Sequence, residues 1–367
     1  MIRIKQFQVY LASALLLGLW GCLSEIDLPA PPSDAENVAI TATLRKDEPS
    51  VLDVRVVQVD NFSGFSAPVP IDNAIIFLKD DQGNESFVPL RFSGQYQRVL
   101  EEGESEVVVE PGRSYQLEVN LGQGRVYTSE LEQLSAVPEA TAINYSVETR
   151  EAINETGNIV DQNFVRFFID TPLRVNGSNS KAVLKWDMEG VHKIVESVPA
   201  DVQVPNQRTC YVFEDLQLER PVVFNGNESG KEVLQRQFII EERIDSRFAQ
   251  GFYLVVRQQS ITEGAFDYWE SIRKVVDRSG NFFDEPPGKI RGNFSNLENP
   301  AEDVFGYFSA VQEDTIRLYI PPSALGLTIF PECPSTIPAG QDPPRAFCFD
   351  CLLLRNSTTQ KPDFWIE

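Results

Sequence analysis

Cysteine is the residue type with the most distinctive chemistry in this sequence, and four of its five cysteines lie in the C-terminal half. They are Cys210, Cys333, Cys348 and Cys351. In an exported chain, four cysteines are typical of two disulfides, and three connectivities are open. We predict two structural disulfides, which would pin the C-terminal tail to the body of the protein around Cys210.

Two other uses of these cysteines are weaker. Cys348-Phe-Asp-Cys351 is a C-x-x-C pair, but it lies in the proline-rich stretch DPPRAFCFDC and not at the start of a helix in a βαβ unit, where a redox pair is expected. A four-cysteine zinc site requires a second close pair, and Cys210 and Cys333 are far apart in the sequence. We therefore expect no metal and no cofactor.

Candidate catalytic groups are few. The single histidine, His192, would have to serve any Ser-His-Asp triad, and one histidine cannot form a histidine-rich metal site. The motifs GxSxG, HExxH, GxxxxGKS and GxGxxG are missing from the sequence. A carboxylate-based hydrolase stays open, because a glycosidase needs only two of the 54 acidic residues. We expect His192 on the exterior of a strand or loop, no catalytic residue, and no enzyme activity.

The fifth cysteine, Cys22, ends an apolar run. Arg3 and Lys5 form a basic head, and residues 9–20 are apolar apart from one serine. This apolar stretch is too short to span a bilayer as a helix. This pattern is typical of a signal peptide. The preceding residues, Leu-Trp-Gly, resemble a bacterial lipobox. We therefore predict a signal peptide over 1–21 and lipidation of Cys22, which would anchor the protein in a membrane.

The residues after Cys22 are acidic. Ser24, Glu25 and Asp27 resemble the surface-export signal of Bacteroidetes lipoproteins, whereas a solvated linker is the alternative. We expect an outer-membrane, surface-exposed protein with a lipid-anchored linker over 22–35. The linker contains the proline-rich stretch LPAPP, which is typical of an extended spacer.

The charge of the chain limits its partners. The sequence carries 32 basic and 54 acidic residues, a net charge of −22, and loss of Arg3 and Lys5 with the signal peptide leaves −24. Such a chain repels nucleic acid and anionic headgroups. We expect no nucleic-acid partner and membrane attachment through Cys22 alone.

Period-two alternation predicts a mostly β protein. Strand-like runs separated by turn residues fill 36–135 and predict an N-terminal β-sandwich. The cluster DDQGNE (80–85) is best explained as a hairpin turn, since it lacks the acid spacing of a calcium loop. The stretch 131–141 breaks the alternation and predicts a boundary before a larger β-rich domain over 142–367.

One amphipathic helix is predicted in the second domain. Ser260 and Glu263 have the spacing of a capping box, and apolar residues follow at helical spacing over 261–278. Tyr268 and Trp269 belong to this stripe. We expect them to be structural, although a ligand groove is an alternative for the same two rings.

Two resemblances follow from these stretches. The N-terminal strands NAIIFLKDDQGN and PGRSYQLEV resemble Ig-like or carboxypeptidase-regulatory-like modules. Four later stretches, taken in order, resemble the Bacteroidetes lipoproteins grouped as domain of unknown function 4249. They are FYLVVRQQSITEGAFDYWESIRKVV, KIRGNFSNLENPAEDVFGYFSA, CFDC and TTQKPDFW. Leu352 to Asn356 replace the glycine-rich turn expected before the threonines.

The family resemblance implies a non-catalytic function. Members of that family often occur alongside TonB-dependent outer-membrane transporters, which implies an accessory role in surface capture or uptake. We therefore expect a non-catalytic binding partner of such a transporter. The alternatives are a structural or adhesive module of the envelope and a carboxylate-based hydrolase.

Overall fold

The computed structural model describes residues 37–59, 67–101, 103, 105–153, 156–175, 180–199, 207–216, 220–277, 290–337 and 344–366. The predicted signal peptide, the linker, Cys22 and the export residues Ser24, Glu25 and Asp27 lie outside these residues. Within them, no helix is both long and apolar enough to cross a membrane.

The described chain is mostly β, as predicted. Its strands are β1 (Asn37–Lys46), β2 (Ser50–Val59), β3 (Val69–Pro70), β4 (Ile75–Asp80), β5 (Glu85–Val88), β6 (Leu90–Phe92), β7 (Gln95–Leu100), β8 (Ser114–Asn120), β9 (Val126–Ser129), β10 (Glu132–Gln133), β11 (Ala142–Ile153), β12 (Ile159–Pro172), β13 (Val183–Val195), β14 (Val198–Pro199), β15 (Thr209–Asp215), β16 (Val222–Asn225), β17 (Val233–Arg243), β18 (Phe252–Ser260), β19 (Phe294–Asn296), β20 (Val304–Phe305), β21 (Phe308–Ile320), β22 (Thr336–Ile337) and β23 (Ser357–Thr358). One α-helix, α1 (Glu263–Val276), lies in the described part of the chain. Single turns of 3-10 helix cover Ser246–Phe248, Pro322–Leu325, Ala346–Cys348 and Cys351–Leu353.

The described strands form one large sheet and three smaller ones. The large sheet runs in the order β23-β15-β13-β18-β21-β1-β2-β7-β6, with β16, β20 and β3 at its sides. A second sheet runs β19-β9-β8-β4-β5 with β10 on β8, a third runs β11-β12-β17, and β14 pairs with β22. The large sheet spans both halves of the sequence, because β1 pairs in parallel with β20 and β21.

The second and third sheets pack on the same face of the large sheet. Strand β21 shows this through its alternation, since Phe308 and Ala310 lie in the core under the second sheet, whereas Ile316, Leu318 and Ile320 lie in the core under the third sheet. The first core also contains residues from β19 and β20. The sandwich predicted over 36–135 is thus completed by strands from after residue 290, while the domain boundary itself stays a prediction.

The opposite face of the large sheet is covered at two places. Val311 of β21 packs beneath α1. Tyr319 of the same strand lies under the C-terminal residues Phe364 and Trp365, in a cluster of aromatic rings. This face of the large sheet is therefore covered near both ends of β21, whereas Thr315 and Arg317 between them are exposed.

The N-terminal hairpin turn has the form that the sequence predicted. β4 and β5 are joined by residues 81–84, with Gly83 at a φ of +86°, a conformation that glycine adopts without strain. The Asp80 carboxylate accepts hydrogen bonds from the backbone N–H groups of Gln82 and Asn84, each at 2.9 Å. These bonds hold the turn as a local Asx structure.

The helix is real, but its predicted start and length need correction. Its N-cap is Thr262, whose hydroxyl accepts from the backbone N–H of Ala265 at 3.2 Å. Ser260 is the last residue of β18, and its hydroxyl donates to the Ser135 carbonyl. Because strand pairing with β13 continues to Ser260, the helix cannot begin there.

The apolar stripe of α1 is buried only in its first half. Ala265 is buried, and Tyr268 and Trp269 are half-buried against the same cluster as Tyr307. Further along the helix, Val275 and Val276 are exposed. The two aromatic residues therefore pack as expected, but the end of the predicted core face is open to solvent.

A buried carboxylate joins the predicted boundary segment to the C-terminal half. Glu132 is 4% exposed and accepts hydrogen bonds from the Tyr307 hydroxyl at 2.6 Å, the Thr262 hydroxyl at 2.8 Å and the Asn293 amide at 3.2 Å. Burial raises the pKa of Glu132, and the three hydrogen bonds oppose that rise. We call this group of four residues the Glu132 junction.

Candidate functional site

The four C-terminal cysteines form two disulfides, which confirms the prediction and selects one of the three connectivities. Cys210 on β15 bonds to Cys351, and Cys333 bonds to Cys348. β23 pairs with β15 beside the first bond. The tail is thus tied to the strand that carries Cys210, as the sequence predicted.

Ion pairs brace the segment that the disulfides hold. We call residues 344–358 the stapled segment. The Arg208 guanidinium lies 2.7 Å from a Glu196 carboxylate oxygen and 3.0 Å from Asp350. Glu196 also accepts a hydrogen bond from the backbone N–H of Cys351 at 3.1 Å. Covalent and polar contacts together fix the backbone of the stapled segment on the large sheet.

The stapled segment presents large apolar side chains to solvent. Its two 3-10 turns bury Cys348 and Cys351, whereas Phe349, Leu352 and Leu353 are 41%, 48% and 63% exposed. We call these three side chains the apolar knob. Large apolar side chains left exposed close together in the sequence, on a backbone held by disulfides, make this segment a candidate protein-binding surface.

A cleft lies beside the stapled segment. Its volume is about 250 Å³, and its walls include His192, Glu214, Arg247, Cys333 and Phe347. The structure therefore brings the single histidine and one of the disulfides into the same wall. No local pattern in the sequence links His192 with Cys333.

Arg247 is the charged centre of the cleft. Its guanidinium lies 3.0 Å from Glu214, 2.9 Å from Glu242 and 3.0 Å from Asp245. Burial alone would lower the pKa of Arg247, but hydrogen bonds to Asp245 and Glu214 and the charge of Glu242 outweigh burial and raise it. Three carboxylates thus compensate one half-buried cation.

His192 is buried, so the prediction of an exterior position was wrong. It lies on β13 between β15 and β18 and is 4% exposed. The alternation of β13 places it on the same face as Trp186 and Met188, which pack in the core under the third sheet. That parity was visible in the sequence, and it explains the burial.

The surroundings of His192 disfavour its protonated form. Burial lowers its pKa, the nearby Glu214 carboxylate opposes that shift, and the Arg247 cation reinforces it. Its Nδ1 atom is buried, with no hydrogen-bond partner in the described part of the chain. The histidine is therefore desolvated without a compensating contact at that atom.

The geometry of the cleft does not assemble a serine nucleophile. Ser246 lines the cleft with His192, but its hydroxyl donates to the Glu332 carboxylate at 2.7 Å. Among the described residues, no group of three histidine, cysteine, aspartate or glutamate side chains is arranged to hold a metal ion.

Sequence reasoning missed Arg247 and the apolar knob. A lone arginine among 32 basic residues carries no signal. The knob had a weak one, since Leu352 to Asn356 replace the glycine-rich turn that the family resemblance implies before the threonines. Its exposure depends on the disulfides, which turn the cysteines inward.

Comparison with known proteins gives a family and no activity. No curated protein matches the chain significantly. A family model described as Domain of unknown function (DUF4249) matches residues 24–317, which is most of the sequence. That match covers β1 to β20 and most of β21, and it ends before the stapled segment. The chain therefore belongs to the DUF4249 family.

Proposed function

We propose that this protein is a non-catalytic accessory lipoprotein that binds a TonB-dependent outer-membrane transporter. In this proposal Cys22 is lipidated, and Ser24, Glu25 and Asp27 direct the chain to the outer face of the outer membrane. Family membership supports the proposal, since the resemblance drawn from the sequence implies an association with such transporters. The contact surface is the apolar knob.

The exposure of the knob is the observation that carries the proposal. Phe349, Leu352 and Leu353 leave large apolar surfaces in water, although the segment that bears them is held by two disulfides. Burying apolar surface contributes about 25 cal/mol per Å². Because the disulfides already fix the segment, binding orders few additional bonds, and more of this energy appears as affinity.

The chemistry of the neighbouring cleft supports a role without catalysis. His192 is buried with a lowered pKa, the Ser246 hydroxyl donates to Glu332, and the charge of Arg247 is balanced by carboxylates. A structural or adhesive envelope module is the competing function. It requires no transporter, and this difference makes the two proposals separable.

A pull-down from detergent-solubilised outer membranes tests the proposal. The full chain carries a tag after Glu367 and is compared with the variants Leu353→Asp and Leu131→Asp. The two leucines are matched, at 63% and 61% exposed, but Leu131 lies outside the stapled segment. Thermal unfolding of all three chains checks that the variants fold equally well.

We expect the wild type and Leu131→Asp to recover the same β-barrel transporter. Leu353→Asp should lose at least about tenfold in recovery, since it places a charge in the centre of an apolar contact. Recovery of the lipoprotein alone by all three chains, under conditions that preserve other transporter complexes, would favour the structural module.

A further inference from the structure

The long hairpin of β11 and β12 has a free edge. β11 is an outer strand of the third sheet, and in the described part of the chain its ladder partner is β12. The base of the hairpin is buried through Ile143, whereas Val147, Thr149 and Ile153 are exposed. The distal part of β11 therefore offers unpaired backbone groups and apolar side chains together, as strands that accept another strand do.

Charges on the outer face of this hairpin alternate in sign. Arg150 pairs with Glu241 of β17 and lies over the Phe164 ring, with its guanidinium carbon 4.0 Å from the ring centroid. Glu148 pairs with Arg166 at 3.0 Å. Glu148 and Arg150 stand two residues apart on the same face of β11, and both are already held in place by these neighbours.

We propose that β11 pairs antiparallel with β11 of a second copy of this chain, in a register centred on Thr149. A two-fold axis perpendicular to the joined sheet keeps each face of the sheet on its own side. Because side chains alternate between the faces, an odd-numbered residue can then lie opposite only an odd-numbered residue, and an even-numbered one opposite an even-numbered one. The centre of symmetry must then fall on a residue. This requirement leaves few registers to compare.

Charge selects among those registers. A register centred on Glu148 sets two glutamates opposite each other, and one centred on Arg150 sets two arginines opposite each other. The register centred on Thr149 pairs Glu148 of each copy with Arg150 of the other. Opposite charges directly across an antiparallel pair stabilise it, and like charges destabilise it.

The same register also covers apolar surface. It sets Tyr145 of one copy opposite Ile153 of the other, and Ile153 is 72% exposed in the single chain. Two threonines meet at the centre, a favourable cross-strand pair. The ion pairs of the two copies then join into one row, from Glu241 through Arg150 of one chain to Glu148 and Arg166 of the other.

Cysteine substitution tests the register directly. Thr149→Cys is introduced into the full chain carrying Cys22→Ser, so that the new cysteine is the only one outside the two disulfides. In an antiparallel pair, the two Cα atoms at the centre lie within the range that a disulfide spans. We expect mild oxidation to give a covalent dimer of twice the 41.3 kDa chain mass.

Glu151→Cys is the matched control. Residue 151 is exposed on the same face of the same strand, but in the proposed register it faces Val147 of the other copy. We expect roughly tenfold less dimer from Glu151→Cys than from Thr149→Cys, since its own counterpart lies beyond disulfide reach. A mixture of Val147→Cys and Glu151→Cys chains should cross-link to each other.

A charge exchange completes the test. Glu148→Arg should reduce the Thr149→Cys dimer roughly tenfold by placing arginines opposite each other, and adding Arg150→Glu should restore it. Equal cross-linking of Thr149→Cys and Glu151→Cys would mark random collision and overturn the proposal. A monomeric mass in light scattering at every concentration would overturn it as well. The proposal is independent of the transporter, because β11 lies outside the stapled segment.

Discussion

Glu132 in the Glu132 junction and His192 in the cleft are buried to the same extent, 4% exposed, yet their hydrogen-bonding surroundings differ. Glu132 accepts three hydrogen bonds from three separate segments. His192 has a buried Nδ1 with no partner in the described chain, and it lines a cleft.

This difference separates a group that stabilises the packing of several segments from one that only lines a cleft. A buried carboxylate with three donors stabilises the packing of the segments that supply them, because buried donors that lose an acceptor pay the cost of their desolvation. A buried imidazole without a partner at one nitrogen contributes little beyond its apolar packing. We infer that the junction holds the two halves of the chain together, whereas the cleft depends on the disulfides beside it.

The largest expected effect is the loss of the Cys210–Cys351 disulfide. This bond closes a loop with a sequence separation of 141, against 15 for Cys333–Cys348. Removing the first with paired alanine substitutions should lower the free energy of unfolding by about 4 to 5 kcal/mol, and removing the second by about 3. Denaturant unfolding of both variants measures this order, and the reverse order would show that the tail is held mainly by other contacts.

Glu132→Ala should have the next largest effect. It removes the carboxylate that accepts from the Tyr307 and Thr262 hydroxyls, whereas the Asn293 amide keeps its bond to the Phe308 carbonyl at 2.8 Å. We expect the change to cost about 2 to 4 kcal/mol in the free energy of unfolding. Glu130→Ala, at an exposed position two residues away, is the control and should change stability by less than about 0.5 kcal/mol. Equal losses of stability in Glu132→Ala and Glu130→Ala would show that the hydrogen bonds of Glu132 add no stability, and the distinction between the junction and the cleft would be lost.

Trp269→Ala should destabilise less than a change in a fully buried core. The indole is half-buried on α1, with Lys185 Nζ 5.0 Å from its ring centroid. We expect a loss of about 1 to 3 kcal/mol, below the 3 to 5 kcal/mol typical of a buried tryptophan. Val276→Ala, on the exposed end of the same helix, is the control and should be nearly neutral. A larger loss would mean that α1 contributes more to the junction than its exposure indicates.

The smallest expected effects are pH dependences of opposite sign. The lowered pKa of His192 means that the unfolded chain binds this proton more tightly, so stability falls as the pH drops below the ordinary value of 6.5. The raised pKa of Glu132 means that the folded chain binds its proton more tightly, so its contribution falls as the pH rises above 4.5.

Difference curves isolate these two slopes from the other titrating groups. The free energy of unfolding of the wild type minus that of His192→Gln should decrease as the pH falls below 6.5. The same difference for Glu132→Gln should decrease as the pH rises above 4.5. A flat curve for His192→Gln would show that the imidazole is solvated in solution.

The sequence predicted what depends on local pattern. Alternation predicted the strands, DDQGNE predicted the hairpin turn, and the apolar spacing after residue 260 predicted α1. The helix start differed because Ser260 and Thr262 are both good N-caps, and the choice between them was made by the pairing of β18 with β13. Such pairing is a tertiary contact that no local pattern contains.

Long-range contacts account for the rest of the site. The count of cysteines predicted two disulfides, but not which cysteines bond to each other. That connectivity depends on a tertiary contact, the pairing of β23 with β15. The parallel pairing of β1 with β21 joins two strands that are more than 260 residues apart in the sequence and has no local signal. His192 is buried and not exterior, because β13 lies between β15 and β18 and places it on the face of Trp186 and Met188.

Cross-linking from the apolar knob in living cells is the most direct test of the proposed transporter contact. A photoreactive phenylalanine analogue replaces Leu353 in one strain and Leu131, of matched exposure, in another. Illumination should join position 353 to an outer-membrane β-barrel transporter and leave position 131 without that adduct. No transporter adduct at 353, or equal adducts at both positions, would contradict docking through the stapled segment.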